Sequence, residues 1–382
     1  NIVLMASTNL FNNKKLNLKY VMALTVIPFL GIFGTIFYSL NFGIKWQEPI
    51  LLLIFWIITG LSITIGYHRL FAHRSFKSHP ILDWILVIIG AAALENSALK
   101  WCSDHRRHHK HLDTDKDPYS ITKGFFHAHI GWILENKPSP TNKIKDLEEN
   151  PALKFQDDYY NLLFIFFGLL IPISLGFLWG RPIGALFWGV LLRITLVHHF
   201  TYFINSLCHY MGTKPYDSKC TSRDSWFMAL LTFGEGYHNF HHKFQWDYRN
   251  GIRWFDFDPS KWIIWTCSKV GLAKGLKKAN FIQIMKAKSK NKWIQIHSYL
   301  DKMPNRVKKN HEKKLNIIKN KIQSLEKSLM KIESKINYER LKNNLPDNFN
   351  KIHQSKIKYL KLEYISQIKS LSLILLTLQK ID

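Results

Sequence analysis

The sequence is short of cysteine and of negative charge. Its four cysteines, Cys102, Cys208, Cys220 and Cys267, form no CxxC pair among 382 residues. That spacing excludes a zinc ribbon and a thioredoxin-like motif, and leaves reduced thiols facing the cytosol. Acidic residues number 27 against 53 Lys and Arg, a formal net charge of +26. Such a balance suits anionic lipid headgroups, an acidic substrate or nucleic acid. No signal-peptide core is evident either: the basic run "NNKKLNLK" leads into an apolar block too long for one. A cleavable signal peptide is therefore not expected.

What the sequence does have is apolar surface and histidine. Hydrophobic residues make up 47%, with 26 Phe, 15 Tyr and 13 Trp. A chain both this apolar and this basic is expected to segregate, with apolar blocks in lipid and basic blocks in water. Residues 20–40 and 49–67 carry no charge, and each approaches the roughly 20 residues that cross a bilayer core. A second pair follows at 161–179 and 182–205. The short linkers make each pair a helical hairpin. Residues 81–99 are apolar too, but Asp83 and Glu95 interrupt them. They are read as a helix lying at the interface or packed on the protein, with a fifth span as the alternative. The fold class predicted is an all-α integral membrane protein, with four transmembrane helices in two hairpins. The bilayer is the expected partner, and nucleic acid is not.

Lys and Arg concentrate in the N-terminal run, in 68–150 and after 210, whereas the hairpin linkers hold one each, Lys45 and Arg181. By the positive-inside rule both termini and the middle segment are cytosolic. Three regions follow: a basic N-terminal segment over 1–19, a domain over 20–284, and a lysine-rich extension over 285–382. In the extension Leu315, Ile318, Ile322, Leu325, Leu329, Ile332 and Ile336 alternate in spacings of three and four. This is a heptad seam. The break "NNLPDN" follows, with Asp347 a candidate N-cap, and then a second helical run. An antiparallel helical hairpin and a weakly helical low-complexity tail are both compatible with this pattern.

Nine of the 18 histidines fall in four clusters. These are "HRLFAH" (His68, His73), "HRRHH" (His105, His108, His109), "NSLCH" (Asn205, His209) and "GEGYHNFHH" (His238, His241, His242). On a helix, residues i, i+3 and i+4 share a face. By the predicted topology all four clusters lie on the cytosolic side, in a helical cap. One metal ion does not need nine imidazoles; two ions with four or five ligands each would use them. Neutral imidazole suits iron, zinc, copper and nickel. His198 and His199, inside the fourth span, either line a pocket or pack as polar residues. His111, His127 and His129 either bind metal or face water. His79, His297, His311 and His353 read as surface residues.

The motifs "HRLFAH", "DHRRHH" and "GEGYHNFHH", in this order and spacing, resemble those of the membrane fatty-acyl desaturases, closest to the acyl-CoA Δ9 (stearoyl-CoA) desaturases. "GFFHAHIGWIL", "KPYDSKCTSRDSW" and the "FDF" after "WDYRNGIRW" also have counterparts there. The resemblance covers roughly residues 17–275. It implies a di-iron site, two Fe2+ held by the nine histidines, with Asn205 acting through a bound water. It implies an O2-dependent reaction that inserts a cis double bond into a saturated fatty acyl-CoA. The electrons would come from a cytochrome b5-type donor and its reductase, as no "HPGG" haem segment is evident. The setting implied is the endoplasmic-reticulum membrane.

For the substrate, the resemblance points to Asn17, Asn96, Trp101, Asp104 and Lys137 around the head group. Along the acyl tunnel it points to Trp56, Gly60 and Tyr202. Ser103, Asn136 and Tyr202 depart from the residues typical of animal members. Trp56 either shortens the tunnel or is an ordinary lipid-facing aromatic. Two other functions are carried alongside: a related di-iron acyl-lipid desaturase or hydroxylase, and a non-enzymatic metal-binding membrane scaffold.

Overall fold

The computed structural model describes residues 18–135, 144–341 and 347–380. Asn17 and Lys137, both expected near the head group, lie outside the described residues, as does Asn136. The chain divides into two compact units: residues up to 213 with 220–278, and residues 214–219 with 279–382.

Among the described residues of the first unit, four helices are long and apolar enough to cross a membrane: Tyr20–Phe42, Gln47–Ala72, Tyr160–Phe177 and Pro182–Tyr210. The second and fourth extend beyond the apolar runs that suggest them. Their added last turns carry His68 and His209. The first span buries only 11% of its most apolar window, so its Phe29, Phe33 and Phe37 point outward. That is the surface of a helix solvated by lipid rather than by protein.

The turns after the first and third spans are built alike. Gly43 (φ 70°) and Gly180 (φ 71°) each take the left-handed conformation that ends a helix cheaply only at glycine. Arg181 ties the two turns together. It donates to the Phe42 and Gly43 carbonyls and pairs with the buried Glu48 at 3.0 Å. Lys45 Nζ donates back to the Trp179 carbonyl.

The interrupted apolar segment forms the helix Pro80–Ala91. Its 12 residues reach about 18 Å, too short for a bilayer core of about 30 Å. Two buried side chains of the fourth span cap its far end. Arg193 donates to the Ala92 carbonyl, and also to Gly168 and Gly189. His198 Nε2 donates to Ala93 and Leu94. A fully buried guanidinium is costly unless its donors are met, and here three carbonyls meet them. A two-residue antiparallel pair, Lys77–Ser78 with Ala273–Lys274, links the chain after the second span to the end of the unit.

Among the described residues the second unit holds the two helices expected from the heptad seam and the run after it, Asn305–Leu341 and Asp347–Gln379, and a third before them, Phe281–Leu300. The additional helix begins with a reciprocal capping box between Asn280 and Gln283. Its buried Asn291 bonds Ser218 and Lys214, drawing residues 214–219 into the bundle. The heptad residues Leu315, Ile318, Ile322, Leu325, Leu329 and Ile332 are all buried, while Ile336 is half-buried. They belong with Leu360, Tyr364, Leu371 and Leu378 of the last helix, also buried. Residue 285 lies inside Phe281–Leu300, and the unit itself begins at 279.

Candidate dimetal site and its cavity

The nine clustered histidines converge into two groups. His68, His73, His105, His109 and His241 bring five ring nitrogens within 4.8 Å of one another. His108, His209, His238 and His242 do the same with four. All nine belong to the first unit.

Local winding explains how. In an α-helix, residues five apart point about 140° apart, so HxxxxH does not share a face. Over Ser62–Ala72 the second span widens to i→i+5 hydrogen bonding, and His73 N bonds the His68 carbonyl at 3.0 Å. The wider turn brings both imidazoles to one side. Ser97 caps the helix Ala98–His111 by accepting from Lys100 N. That helix sends His105 and His109 to the five-membered group and His108 to the other. The short helix His238–Lys243 mirrors it, sending His238 and His242 to the four-membered group and His241 across. Residues i and i+4 stay together and the third crosses over, so the three histidines of a cluster do not share one centre as their common face suggests. After Asn205 the fourth span breaks at Ser206 (φ −102°, ψ −66°), and the last turn then carries His209. Asn205 lines the cavity beside His238.

The residues fit a pair of metal ions. Nε2 atoms face one another at 2.8–3.1 Å in the pairs His73–His105, His68–His241, His109–His241, His209–His238 and His238–His242. An imidazole pair can share only one proton, so this many opposed nitrogens leave lone pairs facing lone pairs. Cations between them resolve the conflict. The outer nitrogens are held by partners: His68 Nδ1 by Glu235 at 2.9 Å, His108 Nδ1 by Asp117 at 2.8 Å, and His209 Nδ1 by Thr221 at 2.7 Å. Such partners fix the tautomer and aim Nε2 inward. The buried His108 Nε2 has no hydrogen-bond partner, as expected of an atom that awaits a metal. Burial, and then the neighbouring imidazoles, pull His73, His105, His109, His238, His241 and His242 well below the usual histidine range. They are neutral imidazoles near pH 7, the form that binds metal. An all-nitrogen set suits iron, zinc, copper or nickel and not the oxygen-seeking calcium or magnesium.

Glu235 is a central residue that spacing alone does not reveal. It accepts from His68, twice from Arg69, and from Asn250 at 2.6 Å. Burial pushes its carboxyl up, but His68 and Arg69 outweigh this and hold it at about 2. Asp258, fully buried, receives the other side of Arg69. Asp117, nine residues after His108, and Thr221, steadied by Asp113, are similar finds. For Glu235 and Asp117, a carboxylate near a histidine motif is the sequence signal on offer; Thr221 offers none.

A cavity of about 1120 Å³ runs past both groups, touching His68, His105 and His238. Lys100, Asp104, Arg107, Lys116 and Lys123 line its polar part. Trp56, Gly60, Phe200 and Phe233 line its apolar part, with Ala23, Leu24 and Ile27 of the first span. Every described residue expected to touch substrate lines this one cavity: Asn96, Trp101, Asp104, Trp56, Gly60 and Tyr202. In its wall Glu95 accepts from Trp101 Nε1 and Thr201 Oγ1. Burial pushes the Glu95 carboxyl up to about 7. Of the other histidines, His198 lines the cavity, and His129 and His199 pair with each other at 3.0 Å. His127 is buried rather than facing water.

Among the described residues, four helices are thus long and apolar enough to cross a membrane, and two histidine groups that could each hold a metal ion lie along one partly apolar cavity. Residues 46–271, more than half of the chain, match the family model described as fatty acid desaturase, and the protein belongs to that family. Acyl-CoA desaturase 1 of Saccharomyces cerevisiae is 43% identical over 229 residues, covering 59% of this chain and 45% of that protein. A Schizosaccharomyces pombe protein that also carries an acyl-CoA desaturase name is 39% identical over 267 residues, covering 69% and 55%. The sn-1 stearoyl-lipid 9-desaturase of Anabaena variabilis is 37% identical over 257 residues, covering 66% of this chain and 92% of its own. The chain thus spans about half the length of the two yeast relatives.

Proposed function

We propose that this protein is an acyl-CoA desaturase that inserts a cis double bond, at the Δ9 position, into a saturated fatty acyl-CoA. The observation that carries this reading is one cavity whose lining includes charged side chains, members of both histidine groups and an apolar, aromatic stretch. The names of the two yeast relatives support the acyl-CoA substrate.

The reaction removes one hydrogen from each of two adjacent methylenes, consumes two electrons and two protons, and reduces O2 to two waters. Two iron ions, when bound, would supply the oxidising chemistry that an unactivated C–H bond demands. His68, His73, His105, His109 and His241 would hold one, and His108, His209, His238 and His242 the other, with Asn205 reaching the second through water. Glu235, Asp117 and Thr221 keep the imidazoles oriented. The apolar wall excludes water and holds the chain extended past the histidines. Asn96, Trp101 and Asp104, with Asn17 and Lys137, would receive the head group.

In this reading the spans form two hairpins, with the histidine-bearing helices as a cap on the cytosolic side of the endoplasmic reticulum and both termini cytosolic. The Arg181–Glu48 pair between the two turns and the Lys/Arg distribution support it. Electrons come from a cytochrome b5-type donor and its reductase, for whose acidic surface the basic chain is suited.

The test is expression in a desaturase-deficient cell, with double-bond position, chain length and hydroxylation read by mass spectrometry. A gain of one oxygen instead of a loss of two hydrogens would make it a hydroxylase. Protein purified without a His-tag column should contain about two irons per chain; a metal store would hold metal but yield no product. The Anabaena variabilis match, which extends over 92% of that protein, favours an acyl-lipid desaturase as the second reading. Supplying purified enzyme with acyl-CoA or with acyl lipid separates the two.

A further inference from the structure

We infer that Phe233 sets the length of acyl chain this cavity accepts, acting with Gly60 as one fitted pair. The inference rests on reading the cavity as an acyl tunnel. Gly60 and Trp56 precede His68 by eight and twelve residues on the second span. They belong to the α-helical part of that span, Gln47–Leu61, about two and three turns before His68. Phe233 comes from a different part of the chain. Its ring centre lies 4.9 Å from that of Trp56, which lies 5.8 Å from that of Phe200. A methyl group placed on Gly60 would overlap Phe233 Cε2. The ring therefore occupies the space that the missing side chain leaves.

The ring is also held in place. Phe233 has φ 52°, a left-handed conformation that a bulky residue adopts only where its surroundings impose it. Its carbonyl accepts from Ser260 Oγ at 3.1 Å, and Ser260 Oγ pairs with Thr64 Oγ1 at 2.5 Å. Thr64 sits one turn from both Gly60 and His68 on the second span. Two residues beyond Phe233, Glu235 binds His68 Nδ1. The backbone around Phe233 is thus tied twice to the helix that carries His68, and the ring packs between Gly60 and Trp56. A residue that only filled space would need neither the strained backbone nor the second anchor. Trp56 alone is not the stop: it forms one wall of a pocket that Phe233 closes.

The test uses the full chain and its Phe233→Ala, Phe233→Leu, Gly60→Ala and Gly60→Ala/Phe233→Ala variants. One measurement is thermal stabilisation by a graded series of saturated acyl-CoAs from myristoyl to arachidoyl, which needs no turnover. The other is the chain-length distribution of unsaturated products in a desaturase-deficient cell. Phe233→Ala should move both optima to longer chains, with about a tenfold rise in the ratio of longer to shorter product. Phe233→Leu should move them less, and it carries the test alone should the alanine variant not fold. Gly60→Ala should favour shorter chains in the wild-type background and have a smaller effect beside Phe233→Ala. Unchanged optima in the Phe233 variants would overturn the inference, and strictly additive effects would overturn the pairing. Length-dependent binding that shifts in the variants, with no double bond formed by any of them, would sustain the inference and sink the desaturase reading.

Discussion

The histidine-bearing part of the first unit and the helical bundle of the second are held together in opposite ways. Around the site, buried polar groups are satisfied one by one. Glu235 has His68, Arg69 and Asn250; Asp117 has His108; Arg69 has Asp258. In the bundle, a repeating stripe of Leu and Ile is buried between the helices, with Tyr364 donating to Glu326 beside it. A hydrophobic stripe tolerates many residues of similar volume. A network of buried charges tolerates almost none, because each lost partner strands another. The first unit should therefore fail sharply and chemically, and the second gradually and only in stability.

The largest effect expected is that of His241→Ala. His241 Nε2 faces both His68 and His109, so its loss opens the five-membered group at its centre. Desaturation should be abolished, a loss beyond the roughly 100-fold that a supporting residue costs. Carbonate extraction should still find the protein in the membrane. Product formation at the normal rate would remove His241 from the ligand set.

Glu235→Gln should come next. It keeps the size of the side chain but removes the charge that faces His68 and Arg69. Activity and iron content should fall together by about 10- to 100-fold. The fold should survive, because Arg69 keeps Asp258 and the Tyr248 carbonyl. Iron content at the wild-type level would mean that Glu235 does not orient a ligand.

Those two residues also show how far the sequence can be read. The spans are legible because long uncharged runs have few other uses, and the histidine clusters because half of all histidines fall in four short motifs. Their allocation is not legible. Helical periodicity puts His105, His108 and His109 on one face, and only the approach of two other helices decides that His108 crosses over. The pairing of His68 with His73 depends on a locally widened helix that no motif announces. Glu235 and Asp117 meet histidines, and Phe233 meets Gly60, only through folding, and each alone reads as an ordinary residue. In the extension, the heptad seam is plain, but the Phe281–Leu300 helix, with its mixed Lys and Ile, lacks a comparable repeat and comes to light only with its capping box.

Acidification should separate the two units more mildly. Six site histidines are held below their ordinary value of about 6.5 by burial and by one another. The unfolded chain protonates them near pH 6.5, the folded chain only further down. Between those values the unfolded state binds more protons, so stability rises with pH and falls as pH drops below about 6.5. Each group contributes on the order of 1 kcal/mol per pH unit. Metal should leave over the same range, because protons compete for the ligands. Calorimetry of chelator-treated protein should show the transition of the first unit falling on acidification. That of the bundle, whose His297 is exposed, should move less. Equal shifts in both would erase the distinction.

The smallest effect on chemistry belongs to Leu329→Ala. Leu329 is fully buried at the centre of the heptad seam. Truncating such a leucine costs about 2–5 kcal/mol, depending on how far the surrounding helices relax. The bundle should therefore melt earlier, or lose protection of its helical amides in hydrogen exchange. Iron content and the chain-length distribution of products should stay where they are, because the ligands, their carboxylate partners and the cavity wall all belong to the first unit. Were the product distribution to follow the bundle's stability, the two units would be energetically coupled, and the extension would be part of the enzyme's working structure.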